Sequence, residues 1–162
     1  MDMLVAKLNA SFDRVIEGFI ALLFGAMVLV GGLQVFNRFV INQSLSWGEE
    51  FQRYADIWVV FLAIPVAYNR GAHIGMQVLF NKFPGRLQKA FSILFDLIWL
   101  LLGAAIVRYT LDLVTIAQNQ ISAGLAIAMS WIYMGQLIGG FYLCVVAVRK
   151  LARHFRSDGR GN

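Results

Sequence analysis

The residues best suited to chemistry in this sequence form a charged cluster beside an apolar run. Arg53 has Glu49 four residues before it, Glu50 three residues before it and Asp56 three residues after it. Side chains at these spacings can share one face of an α-helix, so one guanidinium faces three carboxylates. One interpretation is an interfacial cluster whose charges reach the lipid headgroups. The sharper interpretation is a polar contact inside the membrane, with another helix of the chain or with a second membrane protein.

The depth of Asp56 sets what the sharper interpretation requires. Twelve residue steps separate Asp56 from Tyr68, which is about 18 Å along a helix. If Tyr68 lies near the cytoplasmic boundary, Asp56 lies in the hydrocarbon zone, where lipid offers a carboxylate no hydrogen bond. An ionisable group at that depth must find a partner.

Two further acids lie inside apolar runs. Glu17 is a candidate for a proton-coupled carboxylate, but an acid near a membrane boundary more often reaches the interface, where a basic group such as Arg14 neutralises it. Asp96 lies two turns into another apolar run and is expected to have a specific polar partner, which the sequence does not identify.

Several classes of chemistry are excluded by residue type and position. His73 and His154 both lie outside the apolar runs, so the paired intramembrane histidines that would ligate a haem are absent. The single cysteine, Cys144, allows no intrachain disulfide or CxxC metal site. The basic residues flank apolar runs without interleaved aromatics, which argues against nucleic acid as a partner. We therefore expect no catalytic residue, no metal and no cofactor.

The elements that carry these residues are transmembrane helices. The chain is 59% hydrophobic and 14% charged, far more apolar than a soluble domain. A helix needs about 20 predominantly apolar residues to cross the bilayer. By this criterion the sequence predicts an all-α integral membrane protein, a single domain with four spans at about 15–36, 47–68, 90–107 and 126–148. The first span is too long for the apolar core of a cleaved signal peptide.

The second span and the segment after it need further signals. Ser46 and Glu49 fit a capping box, which predicts that the helix runs from Trp47. Pro65 then lies inside the helix and should kink it. Residues 74–83 are followed by Pro84 and are too few to cross the bilayer. Because they mix apolar with polar side chains, we expect them to form a short interfacial helix.

Basic residues give the direction of the spans. Eleven of the 14 lysines and arginines lie before the first span, between the second and third, or after the fourth. The positive-inside rule therefore places both termini in the cytoplasm. The remaining three, Arg38, Arg53 and Arg108, fall on the opposite side.

Small residues at four-residue spacing predict where helices approach closely. Gly135 and Gly139 form such a pair in the fourth span, and Ala21 and Gly25 form one in the first. The common occurrence of glycine in membrane helices is an equally good explanation for the pair in the first span.

The chain resembles the small membrane subunit, often called the Q or DctQ-type subunit, of tripartite ATP-independent periplasmic (TRAP) transporters. The resemblance covers nearly the whole chain. It rests on the order and spacing of Asn37-Arg38-Phe39, then Ser46-Trp47-Gly48-Glu49-Glu50 with Arg53-Tyr54, then Gly71-Ala72-His73-Ile74.

This resemblance implies a noncatalytic permease subunit in the bacterial inner membrane. It would scaffold a large membrane subunit that carries organic anions with sodium, and help dock a periplasmic substrate-binding protein. The interface residues expected on this basis are Arg38, Trp47, Glu49, Glu50, Arg53, Asp56, His73, Gly135 and Gly139. The alternative is an autonomous small proton-coupled transporter that uses Glu17. Nothing in the sequence selects a substrate.

Overall fold

The computed structural model describes residues 2–71 and 84–158, and helices cover most of the four predicted spans, although the last helix begins at Met129 and not at residue 126. The helices are α1 (Asp2–Phe36), α2 (Ser46–Asn69), α3 (Gly85–Ala117) and α4 (Met129–Asp158). The all-α class is as predicted, and α3 continues past Arg108 to Ala117. His73 and the predicted interfacial helix at 74–83 lie outside the described residues.

Three segments of the described chain are long and apolar enough to cross a membrane: Ser11–Ile41, Leu87–Ala117 and Met129–His154. The chain is therefore a multi-pass membrane protein. In such segments the helix is dictated by the solvent, because lipid leaves every backbone N–H and C=O to be satisfied within the chain. The remaining helix, α2, has 24 residues, or about 36 Å, but its first turns carry the charged cluster.

The start of α2 differs from the prediction. After α1 the chain forms one π-helical turn, Asn37–Ile41, and Asn42 then adopts a left-handed conformation with φ of 55°. The predicted capping box is wrong, because α2 already includes Ser46 and the preceding Leu45 has no side chain that can cap it. Pro65 lies inside α2, as predicted, and is fully buried.

The described helices pack side by side in the order α1, α2, α4, α3. Residues that meet along the row show that α1 runs antiparallel to α2, α2 runs parallel to α4, and α3 runs antiparallel to α4. The core lies where α2 and α4 meet, around Leu62, Val66, Leu143 and Val146. No residue in the central apolar window of α1 is buried, so α1 forms an edge of the row.

Glycines allow α4 to lie directly against α2. A Cβ on Gly135 would lie 2.5 Å from Cδ2 of the Trp58 indole, and a Cβ on Gly139 would collide with the backbone carbonyl of Phe61. The predicted close approach at this pair is confirmed as a contact within the chain. By contrast, a Cβ on Gly25 would meet nothing within 4 Å, so on the described part of the chain the Ala21 and Gly25 pair faces outward.

Candidate functional site

The predicted charged cluster divides between several separate environments. Glu50 binds the loop between α3 and α4. Its Oε2 accepts hydrogen bonds from the Ser122 hydroxyl, from the Gly124 amide at 2.9 Å and from the Leu125 amide at 3.1 Å. Trp47 flanks the same loop, since its Cα lies close to Gly124. Glu50 therefore fixes the loop to the start of α2.

Arg53 and Asp56 face out of the row. Both side chains are exposed, and Arg53 retains an electrostatic interaction with Glu50. Asp56 forms no hydrogen bond or ion pair with any described residue. The exposed residues Val60 and Ala67 continue the same face of α2 toward its end. We call these four residues, Arg53, Asp56, Val60 and Ala67, the outer face of α2.

Glu49 and Arg38 line a cleft where α1 ends and α2 begins. The cleft has a volume of about 860 Å³ and is lined by polar and apolar surface in nearly equal parts. Its lining also includes the following residues: Gly31, Gln34, Val35, Phe39, Asn42, Gln43, Ser44, Leu45 and Gln52. Of these side chains, Gln52 also reaches back to α1, where its Nε2 donates to the Met27 carbonyl at 3.4 Å. We call this space the terminal cleft.

The opposite end of the row is held by buried and half-buried polar side chains. The Tyr68 hydroxyl donates to Asp96 Oδ1 at 2.5 Å, and His154 Nε2 lies 3.2 Å from Asp96 Oδ2. Lys150 donates to the Tyr68 carbonyl at 2.5 Å and also lies over the Tyr68 ring. Asp96, only 6% exposed, thus has the specific partners that the sequence required but did not name.

Asp13 and Glu17 attach α1 to the same end. Asn69 donates to Asp13 Oδ2 at 2.6 Å, and the Tyr142 hydroxyl donates to the other oxygen of Asp13. Glu17 forms an ion pair with Arg70 rather than with Arg14. We call the residues that form these contacts the polar clamp. They are Asp13, Glu17, Tyr68, Asn69, Arg70, Asp96, Tyr142, Lys150 and His154.

Sequence reasoning missed Ser122, Tyr68 and His154 as partners. Ser122 is 72 residues from Glu50, and Tyr68 is 28 residues from Asp96. No local spacing rule connects positions so far apart. The sequence does show acids inside apolar runs. Because lipid cannot hydrogen-bond them, each such acid is predicted to have a partner, but the sequence does not identify that partner.

Among the residues that the structure describes, no group of three histidine, cysteine or acidic side chains lies close enough together to hold a metal ion. The arrangement offers two binding surfaces: the outer face of α2, whose carboxylate pairs with no described residue, and a cleft with charged and amide side chains at one end of the row.

Comparison with known protein families extends these observations. Residues 27–157 match the family model described as tripartite ATP-independent periplasmic transporters, DctQ component. That match covers most of the chain, including the end of α1, the terminal cleft, α2, α3 and nearly all of α4.

Individual relatives are similar at modest identity. The chain is 32% identical over 81 residues to the C4-dicarboxylate TRAP transporter small permease protein DctQ of Vibrio cholerae serotype O1, an alignment covering 50% of this chain and 35% of that protein. It is 28% identical over 159 residues to the ectoine TRAP transporter small permease protein TeaB of Halomonas elongata, covering 93% and 78% of the two proteins.

A third relative is much longer than this chain. The isethionate TRAP transporter permease protein DctMQ of Oleidesulfovibrio alaskensis is 28% identical over 115 residues, which are 66% of this chain but only 17% of that protein. The alignments therefore span well under two thirds of the length of both the isethionate and the C4-dicarboxylate protein.

Proposed function

We propose, because this chain belongs to the DctQ family of tripartite ATP-independent periplasmic transporters, that it is a scaffold for a larger membrane subunit. The chain is a small permease subunit of a transporter and not an enzyme. In the proposed assembly the larger subunit carries the substrate together with sodium, and the small subunit holds it in the bacterial inner membrane.

The proposed topology has four spans with both termini in the cytoplasm. Its support beyond the basic-residue count is the packing of α2, which lies antiparallel to α1 and parallel to α4 along its length. A helix of about 36 Å between two apolar spans crosses with them. The charged first turns of α2 then lie at the periplasmic end, beside the loop that Glu50 binds.

The observation that carries the proposed scaffold role is the exposed carboxylate of Asp56. It lies ten residues after Ser46 and thirteen before Asn69, so about 15 Å and about 20 Å of helix separate it from the two ends of α2. Lipid cannot hydrogen-bond a carboxylate at that depth, and no described residue of this chain does so. A donor from a second membrane protein fits this position.

The outer face of α2 suits such a contact for a second reason. Arg53 presents a cation one turn from Asp56, while Val60 and Ala67 present apolar and small side chains along the remaining length. Polar groups that bind and small residues that permit close approach are the two features that associate helices in membranes. The long isethionate relative supports a large neighbour, since the part resembling this chain is a minor fraction of it.

The autonomous transporter is the weaker candidate. It requires a free carboxylate that binds and releases a proton, but Glu17 forms an ion pair with Arg70. That pair ties α1 to the end of α2 and suits a structural role. The three relatives are named for different substrates, so organic anions as a class stay part of the proposal and no single substrate is chosen.

A charge reversal at Asp56 tests the scaffold role. Co-purification of the larger subunit should fall at least tenfold with Asp56→Lys, because an ammonium would replace the carboxylate that accepts the partner's hydrogen bond in a region without water. Asp112→Lys is the matched control, since Asp112 is an exposed acid on α3 that pairs only with Arg108 among the described residues. Equal recovery of the larger subunit with both variants would refute the outer face of α2 as the contact.

Folding of the variant chain has to be checked in the same experiment. Asp56 has no partner within the described chain, so the purified Asp56→Lys protein should elute and melt in detergent as the wild type does. Uptake in reconstituted vesicles should fall in proportion to the recovered complex. Normal recovery with altered substrate affinity would instead place Asp56 on a substrate path.

A further inference from the structure

The terminal cleft contains two opposite charges that do not neutralise each other. Arg38 comes from the π-helical turn after α1, and Glu49 comes from the first turn of α2. Both line the cleft and both are exposed, yet neither forms an ion pair with any described residue. Flexible charged side chains that face the same space without pairing leave room between them for a ligand with two charges of its own.

The charge balance of the cleft selects the class of ligand. One cation and one anion make the lining neutral overall, so a ligand with only one charge would leave either Arg38 or Glu49 without an oppositely charged partner. Amide side chains supply further donors and acceptors from Gln34, Asn42 and Gln43. The volume of about 860 Å³ is within the range of small-molecule sites. These features fit a zwitterion with separated phosphate and ammonium groups.

The position of the cleft indicates whether that zwitterion is a lipid headgroup or a free solute. It lies at the end of the candidate span Ser11–Ile41, at the depth where headgroups meet the hydrocarbon. Its rim is apolar: Phe39 is 76% exposed and Val35 is 59% exposed. The outward surface of α1 continues this apolar rim toward the bilayer centre with Val28 and Leu29, which are also exposed. A cleft that combines charged side chains with apolar surface and opens onto the apolar face of α1 suits a lipid better than a free solute.

We propose that the terminal cleft binds the headgroup of an aminophospholipid, with its phosphate at Arg38 and its ammonium at Glu49. The ammonium of phosphatidylethanolamine has three N–H donors for the carboxylate. Phosphatidylcholine has the same charges but no N–H donor, and phosphatidylglycerol has the phosphate without a cation. The cleft should therefore rank these lipids in the order ethanolamine, choline, glycerol. The proposal concerns this chain alone and does not depend on the scaffold role.

Native mass spectrometry of the delipidated full chain, titrated with each of the three lipids in detergent, tests this order. Arg38→Gln should weaken phosphatidylethanolamine binding about tenfold, which is the loss expected for one charge-assisted hydrogen-bonding group. Glu49→Gln should weaken phosphatidylethanolamine by a similar factor and should not weaken phosphatidylglycerol, whose net negative charge the variant cleft no longer opposes. The matched controls are Arg108→Gln and Asp112→Asn, an exposed ion pair on α3, and both should bind as the wild type does.

Three results would overturn the proposal. An equal loss of affinity for all three lipids in Glu49→Gln would mean that the Glu49 carboxylate does not bind the ammonium group. Binding by Arg38→Gln as tight as by Arg108→Gln would remove the phosphate site. Competition by soluble glycerophosphoethanolamine at the same concentration as the lipid would make the cleft a site for a free zwitterion. Unchanged helical circular dichroism in each variant separates these outcomes from misfolding.

Discussion

At the scale of single residues, most of the described acids have partners within the chain, whereas Glu49 and Asp56 pair with no described residue, and of these two only Asp56 lies in the middle of a helix. Glu50, Asp96, Asp13 and Glu17 each join two or more elements. Asp56 joins none of those described. In a medium without water this difference separates acids that assemble the chain from an acid available to another chain.

Removal of the Glu50 carboxylate should loosen the loop that it binds. In Glu50→Ala the amides of Gly124 and Leu125 lose their acceptor, so their hydrogen exchange should become several-fold faster than in the wild type. Glu49→Ala is the control, because Glu49 points into the terminal cleft and not toward this loop. Equal exchange rates in the two variants would show that Glu50 does not hold the loop.

Removal of the Asp96 carboxylate should cost more stability than removal of an exposed acid on the same helix. Asp96→Leu leaves the buried Tyr68 hydroxyl without its acceptor and removes the carboxylate that lies 3.2 Å from His154 Nε2. We expect a loss of about 1–3 kcal/mol, whereas Asp112→Leu should cost about 0–1 kcal/mol because Asp112 pairs at the surface. Unfolding of the two variants in the same detergent measures the difference, and similar stabilities would contradict the role given to the polar clamp.

At the scale of elements, the apolar runs predicted the helices well and their contacts poorly. Length and hydropathy indicate that a helix exists, because a membrane leaves few other ways to satisfy the backbone. The start of α2 was harder, since Ser46 and Glu49 have the spacing of a capping box but Ser46 is already helical. The neighbours of α4 depend on which glycines meet an aromatic ring or a carbonyl across the row, and that is a tertiary property.

The contact of α4 with α2 gives an element-scale prediction. In Gly139→Leu the new side chain meets the rigid backbone at Phe61, whereas in Gly31→Leu it meets only the flexible amide of Gln52. The first variant should therefore lose about 1–3 kcal/mol or more, and the second should lose less. Gly25→Leu, at an outward position, should be neutral. Thermal unfolding in detergent checks the ranking, and a Gly31 variant as unstable as the Gly139 variant would reverse it.

At the scale of the whole molecule, the proposed topology makes a direct prediction. With Cys144 replaced by alanine, single cysteines at Asn42 and Asn119 should react with a membrane-impermeant maleimide added outside spheroplasts. Cysteines at Gly85 and Asp158 should react only after the membrane is opened, as the distribution of basic residues requires. Protection of the Asn119 cysteine from the external reagent would mean that α3 or α4 runs the other way.

The packing of the helices in a row has a consequence for permeation. A hydrophilic solute that crosses a bilayer needs walls on every side, and a closed ring of helices supplies them with a lumen at the centre. The described helices meet in the order α1, α2, α4, α3, from the exposed edge at α1; the polar clamp joins them at one end, and Glu50 joins α2 to the loop between α3 and α4 at the other. Such a row has two broad sides and encloses no lumen between its described helices. A conduit built against this row would need its other walls from another protein, which is what the proposed assembly with a larger subunit would supply.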